Sequence, residues 1–240
     1  MSMLPNPLNT GDTIVVLAPS RRIFEEQMLP AWEVFEEWGL NVIKAPHLYA
    51  SDGYFAGSDE ERLADFQNYL DESSVKAIFC ARGGYGATRF VDRLRWPSSD
   101  SAGKWIIGFS DVTAIHLSAA KAGWTSVHGL MPAQYGYDGI NDSLQSLHDI
   151  LFYHTFSHEF QINPGLSANG SVEASIIGGN LSLLAESLGT TTEIDTENKI
   201  LLLEEVDEYL YKIDRMLNQL QRAGKLKKLL GVLLGDFSDM

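Results

Sequence analysis

Short apolar runs alternate with amphipathic segments along the first half of the chain. Runs of this length are too short for a helix and predict buried strands. The predicted strands are Thr13–Ala18, Asn41–Ala45, Val75–Cys80, Trp105–Ile107 and one around Ser126. Helical periodicity predicts helices at Ala31–Trp38, Ser58–Leu70, Thr88–Leu94 and from Asp111 onward. Strands and helices in alternation predict βαβ units, and therefore an α/β domain with a parallel, flavodoxin- or Rossmann-like sheet.

The pattern changes after about residue 156. Residues 157–170 are polar and rich in turn formers, which predicts a linker between a first domain of residues 1–156 and a second of residues 171–240. The second domain is expected to be smaller and β-rich. Its predicted elements are strands at Ser171–Ile177, Lys199–Leu203 and Gly231–Leu234, a short helix ending near Leu188, and a helix over Tyr209–Ala223.

Parallel strands place the loops that follow them at one edge of the sheet, where ligands bind in open α/β folds. We therefore expect the loops at Ser20, at residues 82–86, at Ser110 and at His128 to be neighbours in space.

Composition narrows the choice of partner. The chain has 18 Lys and Arg against 32 Asp and Glu, a formal charge of −14, which argues against binding to nucleic acid or to an anionic membrane. The only cysteine, Cys80, lies in an apolar run and is expected in the core. The N-terminal residues do not resemble a signal peptide, and no apolar run is long enough to span a bilayer. A cytoplasmic location is the resulting expectation.

Ser110 lies where a buried strand, Trp105–Ile107, gives way to a helix. A serine at such a turn either caps the helix or, as in a nucleophile elbow, presents its hydroxyl to a substrate near free N–H groups. The sequence GFSD lacks the second glycine of G-x-S-x-G, so the pattern alone leaves both interpretations open.

Two other segments likewise allow either a structural or a functional interpretation. The RGGYG sequence at residues 82–86 is either a plain glycine turn or an anion cradle, in which Gly84 is the candidate donor of an oxyanion hole together with the N–H of Asp111. Glu204 is either part of a solvated acidic run or the acid that orients a catalytic imidazole. No histidine or cysteine spacing indicates a metal site, and His128 is expected to be a structural, hydrogen-bonded histidine.

Several motifs occur together in one order: GDTIVVLAPS, ARGGYGATR, WIIGFSDVTAIH, VHGLMP, IGGNLSLL and LLLEEVDEYLYKIDRMLNQL. As a set they resemble the L,D-carboxypeptidase family of serine peptidases, which includes microcin-immunity-type enzymes. The resemblance implies Ser110 as nucleophile, Glu204 as acid, and Gly84 and Asp111 as oxyanion donors. Arg82 and Asn180 would line the site and meet a substrate carboxylate or amide.

The same resemblance implies release of D-alanine from a small murein tetrapeptide, without a metal or organic cofactor, by a protein that is often a homodimer. The family's base is a histidine in a Gly-His context downstream of the acid, and no histidine follows Glu204 in this sequence. We therefore expect a shortened form, incomplete in its second domain and nearly inactive. The competing hypotheses are hydrolysis of a peptidyl-nucleotide and a non-catalytic protein that binds an anion or a nucleotide.

Overall fold

The computed structural model describes residues 4–98, 103–155, 157 and 170–240. These residues form two lobes, each built on a parallel sheet, which confirms the expected α/β class. The strands of the first lobe are β1 Thr13–Leu17, β2 Asn41–Lys44, β3 Val75–Cys80, β4 Trp105–Gly108 and β5 Val127–His128. Its helices are α1 Leu29–Glu37, α2 Asp59–Asp71, α3 Thr113–Lys121 and α4 Asn141–Tyr153.

The first sheet has the order β2-β1-β3-β4-β5, and every neighbouring pair is parallel. Its strands are apolar on both faces because a helix-bearing layer covers each side. At the start of α2, the Ser58 hydroxyl accepts a hydrogen bond from Glu61 N, and the Glu61 carboxylate accepts one from Ser58 N, which is the predicted capping box.

The second lobe contains strands β6 Ile176–Asn180, β7 Ile200–Val206 and β8 Gly231–Ser238, and helices α5 Leu181–Glu186 and α6 Leu210–Arg222. Its sheet is parallel in the order β6-β7-β8, so this lobe is β-rich and also carries two helices. Leu117 of α3 belongs to the apolar core of this lobe, so the two lobes pack directly against each other.

Two details differ from the sequence expectations, and a third expectation is left untested. The helix predicted at Thr88–Leu94 is two short 3-10 turns, Ala87–Arg89 and Val91–Arg93. The glycines predicted to follow a strand, Gly178 and Gly179, lie within β6 at positive φ. Most of the predicted linker, residues 158–169, lies outside the described residues. Among the residues that are described, no helix is long and apolar enough to cross a membrane.

Candidate active site

Ser110 occupies a strained turn at the carboxyl end of β4. Its φ is 60°, in the left-handed region that non-glycine residues rarely adopt. It begins a 3-10 turn, Ser110–Val112, that leads into α3, and its side chain makes no capping hydrogen bond with any described residue. The capping alternative is therefore not what the structure shows, because the half-buried hydroxyl is left free.

Two glycines allow this turn to form. A β-carbon on Gly108 would lie 2.9 Å from the Val112 side chain, so the strand must end in glycine for the turn to fold back. A β-carbon on Gly83 would lie 2.9 Å from Ser110 Cβ and 3.0 Å from Ser110 Oγ. The backbone of the RGGYG loop therefore lies directly beside the hydroxyl, as an oxyanion loop must.

Gly84, the predicted oxyanion donor, has a different environment. Its φ is 121°, and an added β-carbon would lie 2.7 Å from Arg21 Cβ and 2.9 Å from the Tyr54 hydroxyl. Gly83 is thus the glycine whose backbone lies against Ser110, a residue that the sequence interpretation passed over. The donor roles of the Gly84 and Asp111 N–H groups stay predictions.

The carboxylate of Asp111 ties the loops of the first sheet together. It accepts hydrogen bonds from Ser20 Oγ at 2.5 Å and from Ala87 N at 2.8 Å. Burial raises the pKa of this carboxyl, and these two donors oppose the rise. The expected convergence of the Ser20, 82–86 and Ser110 loops is therefore confirmed by direct contacts.

Glu204 lies on β7 of the second lobe and faces the first lobe at His128, at the end of β5. The alternation of β7 directs Leu201, Leu203 and Glu205 to one side and Glu204 to the other. The ladder with β8 shifts register between Leu203 and Glu205, and bulges of this kind often aim a side chain at a site. The Glu204 side chain is only 16% exposed, so the solvated alternative does not apply.

The carboxylate of Glu204 faces an imidazole of the first lobe. Its Oε1 lies 3.9 Å from His128 Nε2. Burial, and then the nearby charge of Glu205, raise the pKa of Glu204 to about 7. His128 was expected to be hydrogen-bonded, and this was wrong: neither of its ring nitrogens bonds to a described residue, because the ring is packed between Phe109, His116 and β6.

Asn180 connects the two lobes at the end of β6. Its N–H donates to Thr113 Oγ1 at 3.1 Å, which joins β6 to the first turn of α3. Its side chain caps α5 through Leu183 N and donates to Glu205 Oε1 at 2.7 Å. Asn180 thus holds the site together, and its predicted contact with substrate stays a prediction.

Arg82 lies at the start of the glycine loop and is half-buried. Its Nη1 makes one long hydrogen bond, 3.4 Å, to Arg22 O, and its buried Nε has no hydrogen-bond partner among the described residues. Burial, and then the charge of Arg21, lower the pKa of Arg82. None of Arg21, Arg22 and Arg82 forms an ion pair within the described part of the chain, whereas Arg62, Arg89 and Arg93 do.

Sequence reasoning singled out Ser110, Glu204 and the 82–86 loop, whose catalytic roles stay predictions. It passed over Gly83, Thr113 and the contact between His128 and Glu204. Thr113 had a usable signal, because it lies one helical turn beyond Ser110 and faces the same end of α3. Within the described residues, no group of three or more histidine, cysteine, aspartate and glutamate side chains is arranged to hold a metal ion.

Fold and site together define a two-lobed α/β protein with a serine on a strained strand-to-helix turn of the first lobe and a half-buried glutamate of the second lobe that faces His128 at the end of β5. The family profile described as LD-carboxypeptidase N-terminal domain matches residues 14–129, and that described as LD-carboxypeptidase C-terminal domain matches residues 173–240. The chain belongs to the LD-carboxypeptidase family.

Individual relatives agree with this assignment. The chain is 37% identical to a probable murein peptide carboxypeptidase of Bacillus subtilis (strain 168), over 97% of this chain and 74% of that protein. A crystal structure of muramoyltetrapeptide carboxypeptidase from Oxalobacter formigenes matches with a TM-score of 0.83 at 28% identity, covering 94% of this chain and 77% of that one. An MccF-like protein from Bacillus anthracis str. Ames matches with a TM-score of 0.86 at 26% identity, covering 98% and 81%.

Proposed function

We propose that this protein is a serine carboxypeptidase that cleaves an L,D-peptide bond and releases D-alanine from a murein tetrapeptide in the cytoplasm. The observation that carries the proposal is the free hydroxyl of Ser110, held at a φ of 60° against the backbone at Gly83. A strained serine with a free hydroxyl beside a glycine loop is typical of an acyl-transfer nucleophile. The names of the curated relatives supply the substrate class.

In this mechanism Ser110 Oγ attacks the carbonyl carbon of the L-residue, and the carbonyl oxygen becomes the oxyanion. Backbone N–H groups of the 82–86 loop and of Asp111 receive that charge. A base accepts the serine proton and then gives it to the amine of the departing D-alanine, and water hydrolyses the acyl-enzyme. Glu204, when ionised, orients the base. The resemblance implies that this base is a histidine downstream of Glu204, and residues 205–240 contain none.

A carboxypeptidase must also recognise the free carboxylate at the end of its substrate. The guanidinium of Arg82 is suited to this, because it is half-buried, adjoins the glycine loop and has an unpartnered Nε. In a chain with a formal charge of −14, an arginine without a carboxylate partner in the described structure is a natural site for an external one.

The proposal is tested by measuring D-alanine release from murein tetrapeptide. The assay uses residues 1–240 and an extended protein, defined as the same residues continued to include the downstream histidine. We expect release by the extended protein and little or none by residues 1–240, because the base is missing. Equal release by both would overturn the role given to that histidine. Hydrolysis of a peptidyl-nucleotide without D-alanine release would overturn the murein substrate.

Replacement of Arg82 tests the recognition of the carboxylate. Arg82→Gln in the extended protein is expected to lower kcat/KM for the tetrapeptide by about 10- to 100-fold, because a charged hydrogen bond to the substrate is lost. A peptide ending in D-alanine amide lacks that charge, so its kcat/KM should change little. The control is Arg222→Gln, at the exposed end of α6. Equal loss on the two peptides would show that Arg82 supports the loop and does not read the carboxylate.

A further inference from the structure

One contact between the lobes plays no part in the mechanism above. The imidazole of His128, at the end of β5, faces the carboxylate of Glu204 on β7, with Nε2 and Oε1 3.9 Å apart. Both side chains are mostly buried, with 24% and 16% exposed. Two ionisable groups from different lobes therefore meet away from bulk water.

The facing atoms have few other partners. Glu204 Oε1 and His128 Nδ1 are buried and make no hydrogen bond within the described residues. A buried polar atom without a partner destabilises a fold, so native structures rarely keep one without a reason. From the first lobe, the imidazole of His128 lies within 4 Å of Glu204 Oε1 through its Nε2, at 3.9 Å.

The surroundings fix how the imidazole is oriented. A β-carbon on Gly179 would lie 3.1 Å from His128 Nδ1, so this nitrogen is covered by β6. The rings of Phe109 and His116 lie 5.8 Å and 6.1 Å from the His128 ring, and His116 Nε2 is held by Gly108 O at 2.8 Å. Nε2 of His128 is therefore directed at Glu204, while its covered Nδ1 is poorly placed to take a proton from a nucleophile.

We propose that His128 is a positioning residue that holds Glu204 across the lobe interface and shares one proton with it. When Nε2 and Oε1 close from 3.9 Å to hydrogen-bond distance, one proton passes from the Glu204 carboxyl to the His128 imidazole, which converts a neutral pair into an ion pair and leaves the total charge unchanged. Only the ionised carboxylate can orient a catalytic imidazole, so His128 would set how readily Glu204 reaches its working state. This inference rests on the proposed role of Glu204 as the acid.

The other charged and titratable neighbours are accounted for. Glu205, on the same strand, is committed to Asn180 Nδ2 and to the N–H and hydroxyl of Ser182. His116, from α3, lies against the His128 ring with 6.1 Å between the ring centres. From β8, Gly235 packs against Glu204 Cβ and carries no charge. Burial raises the pKa of Glu204 to about 7 and lowers that of His128 to about 4, so each group disfavours a charge of its own.

The first experiment titrates the Glu204 carboxyl by carbon-13 NMR in residues 1–240, assigned with the Glu204→Gln variant. His128→Phe keeps a flat ring but cannot exchange a proton, and it is expected to raise the pKa of Glu204 by about one pH unit or more. His128→Asn keeps an N–H donor and should recover part of the difference. His148→Phe, which removes an imidazole that stacks on Phe152, is the matched control and should have no effect. An unchanged Glu204 titration in His128→Phe overturns the proposal.

A reciprocal experiment covers the case in which His128→Phe does not fold. Coupling between two sites acts equally on both, so Glu204→Gln must lower the pKa of His128, followed by its ring nitrogen-15 signals. An unchanged His128 titration would overturn the proposal. This outcome can be separated from that of the proposed function. If the titrations of Glu204 and His128 are coupled but the extended protein releases no D-alanine, only the peptidase assignment is overturned. If release depends on Ser110 but the two titrations are independent, only the role of His128 is overturned.

Discussion

Ser110→Ala in the extended protein is expected to lower kcat for D-alanine release by about 10⁴-fold or more, because the attacking oxygen is removed. Binding of the tetrapeptide should remain, since the proposed substrate contacts, Arg82 and Asn180, are left unchanged. Affinity is measured by calorimetry and turnover by D-alanine release. A protein that merely binds an anion or a nucleotide would respond very little to this change.

The matched control is Ser118→Ala on the same helical segment. Ser118 accepts a hydrogen bond from Trp96 Nε1 at 2.8 Å, so its hydroxyl is occupied on another face of α3. Its loss should lower stability slightly and leave kcat within a few-fold of the parent protein. A comparable drop in both variants would mean that α3 had been disturbed and that Ser110 has no special role.

Glu204→Gln is expected to reduce turnover strongly and to stabilise the protein. Without the carboxylate the base loses its orienting group, and kcat should fall by about 10⁴-fold. The carboxyl of the unfolded chain has an ordinary pKa of about 4.5, whereas burial raises the pKa of folded Glu204 to about 7. Between these values the folded state holds more protons, so the free energy of unfolding decreases as the pH rises from 4.5 to 7.

The glutamine side chain carries no charge, so the free energy of unfolding of the Glu204→Gln variant does not decrease in this way as the pH rises. At pH values above the folded pKa, Glu204→Gln should be more stable than the parent chain by on the order of 2–3 kcal/mol, and this difference should disappear in acid. Urea unfolding of residues 1–240 measures it. The adjacent Glu205→Gln is the control and should be destabilised, because Glu205 accepts hydrogen bonds from Asn180 Nδ2, Ser182 N and Ser182 Oγ. Equal destabilisation of both variants would contradict the account of Glu204.

These opposite expectations for neighbouring glutamates show what the sequence could and could not predict. The β strands of the first lobe and the turn at Ser110 followed from short apolar runs, since burial on both faces of a parallel sheet imposes that pattern. The different environments of Glu204 and Glu205 could not be predicted from the apolar pattern. Side-chain alternation on β7 and the register shift against β8 decide which of the two carboxylates faces the other lobe.

Gly83 and the contact of His128 with Glu204 were missed for a related physical reason. Their importance comes from what lies beside them, Ser110 in one case and Glu204 in the other, and both neighbours are distant along the chain. The predicted helix at Thr88–Leu94 failed because Gly86 at φ 142° and the capture of Ala87 N by Asp111 redirect the backbone into 3-10 turns. Local periodicity contains none of these tertiary contacts.

The most direct test of the central claim is the site of modification by a fluorophosphonate, a reagent that reacts with activated serines. In the extended protein we predict one adduct, on the peptide that contains Ser110, prevented by Ser110→Ala and slowed by an excess of tetrapeptide. Release of D-alanine by a protein whose Ser110 remains unmodified while another serine is labelled would contradict the account.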